Sequence, residues 1–134
     1  MQQTGVSMGR LKKSLSIFSL AVVLVVGAPP AAAQAAAWDC PSGHLCVWDG
    51  LSGTGGRCSW LNADNDWYSS PNVCSWAWNY PVRSVYNRGT STAYDAVILY
   101  GDANYQTGEF VIAQGEKRSG LINGYLRSHK WRLK

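Results

Sequence analysis

The chain has 134 residues and a formal net charge of +4, from 12 Lys and Arg against 8 Asp and Glu. Three of the basic residues lie in residues 1–37, so the remaining 97 residues have a net charge of only +1. That balance argues against general nucleic-acid binding, and the length supports one domain with a modest core.

Residues 1–37 have the layout of a secretory signal peptide. Basic residues precede an apolar run of 12 residues, Leu15 to Val26, and an alanine-rich stretch with A-x-A cleavage sites follows it. The run is too short to span a bilayer comfortably. An uncleaved membrane anchor is the alternative, but we expect a secreted, extracellular protein whose single domain covers residues 38–134.

Four cysteines follow the export signal: Cys40, Cys46, Cys58 and Cys74. An exported protein meets an oxidising environment, so we expect two disulfides. Of the three possible pairings, sequence neighbours favour Cys40–Cys46 and Cys58–Cys74. A zinc site is the rival use of four cysteines, and we set it aside because no C-x-x-C pair occurs.

After residue 38, short apolar or aromatic runs alternate with clusters of Gly, Asn, Asp, Ser and Pro, which is typical of an all-β domain. Eight short strands fit a two-sheet sandwich with Greek-key connections. The predicted strands lie at 45–49, 56–61, 74–79, 83–88, 96–101, 108–113, 117–122 and 127–133.

Two stretches of this domain read as copies of one another, at about 45–88 and 96–133. They share an aromatic residue, a glycine eight positions later and a more distant serine. These anchors are Trp48, Gly56 and Ser84 in the first copy and Tyr100, Gly108 and Ser128 in the second. Each copy is too small to close a core alone, so we expect the two to pack together.

The first copy carries an insertion. The offset between the copies is 52 at the aromatic residue and the glycine but 44 at the serine, so eight extra residues lie between them. We place them at 62–72, between Cys58 and Cys74. A loop tied at its base by a disulfide either exposes Trp67 and Tyr68 or tucks them onto the sandwich.

The three anchors of each copy resemble the βγ-crystallin Greek key, in which the glycine has a positive φ and the serine hydroxyl bonds the folded hairpin. The run C-P-S-G-H-L-C at 40–46, with Trp48, the R-S-V-Y-N run at 83–87 and the S-H-K-W run at 128–131, resembles secreted bacterial members of peptidase inhibitor family I36. The resemblance covers essentially all of residues 38–134. It implies an inhibitor of secreted peptidases, in particular thermolysin-type metalloendopeptidases, and we expect the chain to be a monomer.

Two loops are candidates for contact with a peptidase. The resemblance implies a reactive segment after the first strand of the second copy, at residues 101–107. Its candidate contact residues are Asp102, Asn104, Tyr105 and Gln106. The family's characterised inhibitor has its second disulfide beside the reactive bond, whereas no cysteine follows Cys74 here. The residues themselves point instead to the disulfide-tied insertion, with Trp67 and Tyr68 as anchors.

The sequence contains few residues and motifs that are typical of a catalytic site. The chain has two histidines, His44 and His129, and neither an H-E-x-x-H nor a G-x-S-x-G motif. Ser128 and His129 are neighbours on a predicted strand, so their side chains point to opposite faces. We expect a surface histidine there rather than a catalytic pair, and we expect no enzyme.

Two six-residue runs, 79–84 and 123–128, resemble the calcium-binding run of many microbial βγ-crystallins. Each keeps the first Asn and the last Ser, but Arg83 or Arg127 stands where a ligand hydroxyl belongs. A guanidinium repels a divalent ion and replaces an oxygen donor. We therefore expect no metal and no cofactor.

All seven Trp and all seven Tyr lie after residue 37. Packing in a small β core is their ordinary use, and a carbohydrate-stacking platform of Trp67, Trp76 and Trp78 is the alternative. With the basic segment 116–134, that platform would make the chain an antimicrobial or cell-wall-binding module similar to killer toxins. A structural envelope protein is a third possibility.

Overall fold

The computed structural model describes Gly5 and residues 26–30, 35–108 and 110–134, without the side chains of residues 121–123. Of the predicted signal peptide, residues 1–37, the structure describes Gly5 and residues 26–30 and 35–37, and the rest lies outside the described residues. The chain divides into two units, residues 1–32 and 33–134, and the elements below belong to the second. None of the helices in the described ranges is long and apolar enough to cross a membrane.

Seven strands are present in the described residues, and they form two antiparallel sheets. In chain order the strands are β1 (Leu45–Trp48), β2 (Arg57–Trp60), β3 (Val82–Asn87), β4 (Tyr94–Tyr100), β5 (Phe110–Ala113), β6 (Lys117–Gly124) and β7 (Ser128–Leu133). One sheet has the order β2-β1-β3-β6 and the other the order β5-β4-β7. The predicted all-β fold of two antiparallel sheets is confirmed.

The two copies share their sheets. Strand β6 belongs to the second copy by sequence, but it pairs with β3 of the first, with Tyr86 opposite Lys117 and Val82 opposite Gly124. The first copy therefore completes its sheet with a strand from the second. The first copy alone would lack the fourth strand of its sheet.

The predicted strand at 74–79 is wrong, although the other seven predictions overlap the observed strands. Residues Ser75–Trp78 form a 3-10 helix. The place beside β7 is taken by an earlier segment, because Asp64 and His129 exchange both backbone hydrogen bonds, at 3.1 and 2.9 Å. The disulfide from Cys74 to Cys58 holds the start of this 3-10 helix beside β2.

The core lies between the two sheets. Its fully buried side chains include Leu45, Val47, Trp60, Trp67, Val82, Val85, Val97, Leu99, Ile112 and Leu126. Trp60 and Trp67 stack with their ring centroids 4.5 Å apart. Part of the predicted insertion is therefore core, because Trp67 fills the space beneath the second sheet.

Both predicted disulfide pairings are confirmed. Cys40 pairs with Cys46, six residues away, and Cys58 pairs with Cys74, 16 residues away. The described residues contain no free cysteine. The longer of the two closed loops holds the whole insertion, and its closure contributes about 3 kcal/mol in the chain-entropy account.

Candidate functional site

Each copy makes a tight turn after its first strand, and a serine from its last strand holds that turn. In the first copy, the Ser84 hydroxyl accepts a hydrogen bond from the Gly53 amide at 2.9 Å and donates one to the Gly50 carbonyl at 2.7 Å. Ser84 is fully buried. The predicted role of this serine, bonding the folded hairpin, is confirmed.

The second copy repeats the arrangement. The Ser128 hydroxyl accepts a hydrogen bond from the Tyr105 amide at 3.1 Å and donates one to the Asp102 carbonyl at 2.6 Å. The Gly101 amide also donates to the Thr107 carbonyl at 2.8 Å, which closes the base of the turn. We call residues 50–56 the first turn and residues 101–107 the second turn.

The two turns share an unusual backbone but not the residues that suit it. Each places three corresponding residues at a left-handed φ. They are Ser52 (55°), Gly53 (66°) and Gly55 (89°) in the first turn, and Asn104 (59°), Tyr105 (60°) and Thr107 (62°) in the second. Glycine adopts this conformation freely, whereas a bulky or β-branched residue is strained in it. The second turn therefore stores backbone strain at Tyr105 and Thr107, where the first turn has glycines.

The predicted backbone role of the anchor glycines holds in one copy only. Gly108 has φ 67°, as expected, but the expectation is wrong for Gly56, because the positive φ falls one position earlier at Gly55. Gly56 is needed for space instead. A Cβ there would lie 3.1 Å from the Trp76 ring, and its amide donates to the Asp49 carboxylate at 2.7 Å.

The second turn contacts the insertion. The Asn104 amide donates to the Asn65 carbonyl at 2.8 Å, and the Asn65 side-chain amide donates to the Asn104 side-chain oxygen at 3.1 Å. The two loops that the sequence offered as rivals therefore form one surface. Asn65 was not among the predicted site residues, because a run of Asn and Asp reads only as a polar loop.

Most of the predicted contact residues in the second turn face solvent. Asp102, Asn104 and Gln106 are exposed, and Tyr105 is half-buried. The Tyr105 ring lies 5.7 Å from the Tyr100 ring, with the Lys130 ammonium 5.3 Å from its centroid. These contacts hold Tyr105 against β4 and leave the polar side chains of the turn available to a partner.

The candidate anchors in the insertion are placed differently from the prediction. Trp67 is fully buried, so its proposed role as an exposed anchor is wrong. Tyr68 is half-buried, donates to the Ala77 carbonyl at 3.2 Å and lies edge-on to Trp78 at 5.3 Å. Trp67 is buried because it completes the core under β7, a contact that no local sequence pattern shows.

A salt bridge joins the insertion to the residue before β7. Both guanidinium nitrogens of Arg127 that face Asp66 donate to its carboxylate, at 2.8 and 2.9 Å. The hydrogen bond from Arg127 holds the pKa of Asp66 below its ordinary value, and Asp66 raises the pKa of Arg127. The guanidinium also lies 4.5 Å from the Tyr68 ring, and burial raises the pKa of that phenol.

His129 is fully buried, so the expectation of a surface histidine is wrong. Its Nδ1 accepts a hydrogen bond from the Trp67 indole at 2.9 Å, and its Nε2 lies 3.0 Å from the Asn62 carbonyl, to which it donates in the neutral form. Burial lowers the pKa of His129 to about 3. This neutral imidazole ties the insertion to the core and has no exposed face for catalysis.

Metal ligands do not cluster on the described surface. No group of three His, Cys, Asp or Glu side chains in the described ranges could hold an ion. In the second of the two calcium-like runs, Arg127 pairs with Asp66 and the Ser128 hydroxyl is committed to the second turn. The run therefore serves to connect the turn with the insertion.

The model of peptidase inhibitor family I36 matches residues 33–112, which is more than half of the chain and includes both turns. The chain belongs to peptidase inhibitor family I36. The predicted resemblance to that family is confirmed. A search of curated proteins gave no match.

Two solved structures share the fold of this family I36 member. One comes from work on the evolution of the eye lens βγ-crystallin domain fold, with 12% identity, a TM-score of 0.53, and coverage of 72% of this chain and 92% of the other. The second is a βγ-crystallin from Ciona intestinalis, with 13% identity, a TM-score of 0.51, and coverage of 67% and 100%. At these identities the likeness shows the βγ-crystallin fold alone.

Proposed function

We propose that this chain is a secreted inhibitor of metalloendopeptidases that places its second turn in the cleft of the enzyme. Membership of family I36 indicates a peptidase inhibitor. The N-terminal sequence supports secretion, and the family resemblance supports the metalloendopeptidase class. The second turn is the surface that best suits docking.

The observation that carries the proposal is the fixed backbone of the second turn. Asn104, Tyr105 and Thr107 are held at left-handed φ values, although none is glycine. Such strain persists only where surrounding contacts impose it, and it concentrates at binding and active sites. A turn already held in one shape loses little conformational entropy on docking, so more of the contact energy remains as affinity.

The exposed groups of the second turn suit a peptidase cleft. Asp102 and Gln106 face each other across the turn, with the Asp102 amide donating to the Gln106 carbonyl at 3.1 Å. Their side chains are exposed. A carboxylate at the rim is also a ligand that zinc accepts in proteins, which fits a metallopeptidase better than a serine peptidase.

The test is residual peptidase activity after incubation with the oxidised chain. We expect inhibition of a thermolysin-type metallopeptidase and little inhibition of a secreted serine peptidase. The double variant Asp102→Ala, Gln106→Ala should weaken inhibition at least tenfold, while Thr54→Ala, at the position that corresponds to Gln106 in the first turn, should leave it unchanged. Equal inhibition by the wild type and the double variant would assign the contact to another surface.

The alternative cell-wall-binding function loses its predicted platform. Trp67 is buried, Trp76 is half-buried, and Trp78 alone of the three is more than half exposed, at 53%. Three indoles so placed do not form one flat surface for a sugar chain. We therefore propose the inhibitor function alone.

A further inference from the structure

We propose that Asn65 is a positioning residue for the second turn, and that it and Asn104 form a clasp between the two copies. This inference rests on the proposed function, since it assigns to the insertion the task of holding the inhibitory turn rather than contacting the enzyme.

The clasp holds the turn at the residue next to its strained part, Tyr105 and Thr107. Asn104 is the first of the three left-handed residues; its amide donates to the Asn65 carbonyl, and its side-chain oxygen accepts from the Asn65 side-chain amide. A further hydrogen bond, from the Gln106 side chain to the Asn104 carbonyl at 3.2 Å, leaves Asn104 bonded on both sides of its backbone. Rotation of its φ toward the ordinary region would break these bonds together.

The first turn has a simpler brace in the corresponding place. The Ser52 amide, which corresponds to the Asn104 amide, donates to the Ser119 hydroxyl of β6 at 2.8 Å. Each turn is thus held at this point by an element of the other copy. The first turn contains glycines and has one such bond, whereas the strained second turn has two, and the added bond comes from a pair of asparagine side chains.

Asn65 is itself held on both sides. Asp64 forms the two-bond bridge to His129, and Asp66 forms the salt bridge to Arg127. The Asp66 amide also donates to the Asp64 carboxylate at 2.9 Å, which curls the chain tightly around Asn65. The carbonyl and side chain of Asn65 are therefore presented to the second turn from a fixed support.

No cysteine lies in or after the second turn, so no disulfide can hold it directly. The nearest covalent tie is Cys58–Cys74, which closes the base of the insertion, and the Cys74 amide donates to the Trp67 carbonyl at 2.8 Å. The disulfide limits the motion of the insertion, and the insertion holds Asn65 in place against the turn. The insertion holds the second turn in place, and the second turn contacts the peptidase.

The clasp is tested by a double-mutant cycle on the inhibition constant of the oxidised full chain. Asn65→Ala removes one side of the side-chain bond, and Asn104→Gly removes the other while still allowing a left-handed φ. Each should raise the inhibition constant about tenfold. The inhibition constant of the double variant should be no higher than the higher of the two single-variant values. Asn72→Ala, an exposed asparagine in the same disulfide loop, is the matched control and should change nothing.

Hydrogen exchange of the free protein separates the clasp from the inhibitor function. Asn65→Ala should speed exchange at the Asn104 and Tyr105 amides about tenfold, with exchange in β4 and the melting temperature unchanged. The clasp would be overturned if the two fold-changes in the inhibition constant multiplied in the double variant. It would also be overturned if the turn amides of Asn65→Ala exchanged at the wild-type rate. Faster exchange at the turn in Asn65→Ala, together with a wild-type chain that inhibits no peptidase, would instead refute the proposed function and leave the clasp standing.

Discussion

The two turns that follow β1 and β4 have the same hydrogen-bond scheme and different compositions. A buried serine hydroxyl bonds each turn twice, and three corresponding residues in each have a left-handed φ. Gly53 and Gly55 make that backbone easy in the first turn, while Tyr105 and Thr107 make it costly in the second. A copy that needed only to fold would keep the glycines, so the side chains of the second turn point to a role beyond stability.

The same contrast extends to the residue after each serine. Val85 follows Ser84 in the first copy, and His129 follows Ser128 in the second; both are fully buried. Val85 fills the core with apolar contacts alone. His129 adds hydrogen bonds to Trp67 and Asn62, so the second copy fixes the inserted segment through a polar contact that the first copy lacks.

The largest expected effect comes from acid. The pKa of His129 falls to about 3 in the folded state, from 6.5 in the unfolded chain, because burial penalises the charged imidazolium. The unfolded state therefore takes up a proton first, and stability is lost as the pH falls from about 6.5 toward 3, by about 4 kcal/mol in total. Above pH 6.5 this group has no effect.

Chemical denaturation of the full chain at a series of pH values measures that loss. His129→Gln should flatten the dependence between pH 6.5 and 4, since an amide does not titrate. The Asp66–Arg127 pair contributes separately, because the lowered pKa of Asp66 makes its stabilising effect fade only below about pH 4. A wild-type stability that stays constant from pH 7 to 4 would show that His129 is not buried in solution.

Removing the two disulfides in turn should have different effects on inhibition. Cys58→Ser with Cys74→Ser should cost about 3 kcal/mol and should also weaken inhibition, because the insertion that braces the second turn loses its closed base. Cys40→Ser with Cys46→Ser opens a shorter loop, should cost about 2 kcal/mol, and should leave inhibition unchanged. Thermal unfolding and inhibition constants of both variants measure the difference. Equal inhibition by the two would mean that the insertion does not support the turn.

Substituting the two serines compares the turns directly. Ser84→Ala and Ser128→Ala each remove two hydrogen bonds and leave a turn amide and a carbonyl without that partner, at a cost of about 2 kcal/mol. Only Ser128→Ala should weaken inhibition, by tenfold or more. Denaturant unfolding and inhibition assays report the two effects. Weaker inhibition by the Ser84 variant would move the binding surface to the first turn.

Much of this arrangement could be predicted from the sequence, and the missing part has a common cause. The repeat located both turns and both serines, and the closeness of the cysteines in sequence predicted both disulfides, because these are local signals. The burial of Trp67 and the bonds of Asn65 depend on an exchange of segments between the copies, with residues 61–67 beside β7 in place of the predicted strand at 74–79. The alternation of small and aromatic residues in Ser75–Trp78 is typical of a strand, and no local pattern indicates the 3-10 helix that forms there.

The smallest expected effect comes from relieving the strain at one position. Thr107→Gly gives the second turn the residue type that Gly55 provides in the first, and relief of a left-handed threonine should stabilise the fold by about 1 kcal/mol, less the entropy that glycine adds to the unfolded chain. Gly55→Thr should destabilise it, because its Cβ would collide with the Asp49 carboxylate. If strain serves to fix the inhibitory shape, Thr107→Gly should raise the melting temperature and weaken inhibition at once. A variant that is more stable and inhibits as well as the wild type would show that the hydrogen bonds of Ser128 and Asn65 are enough to hold the turn, and that the threonine is there for its side chain.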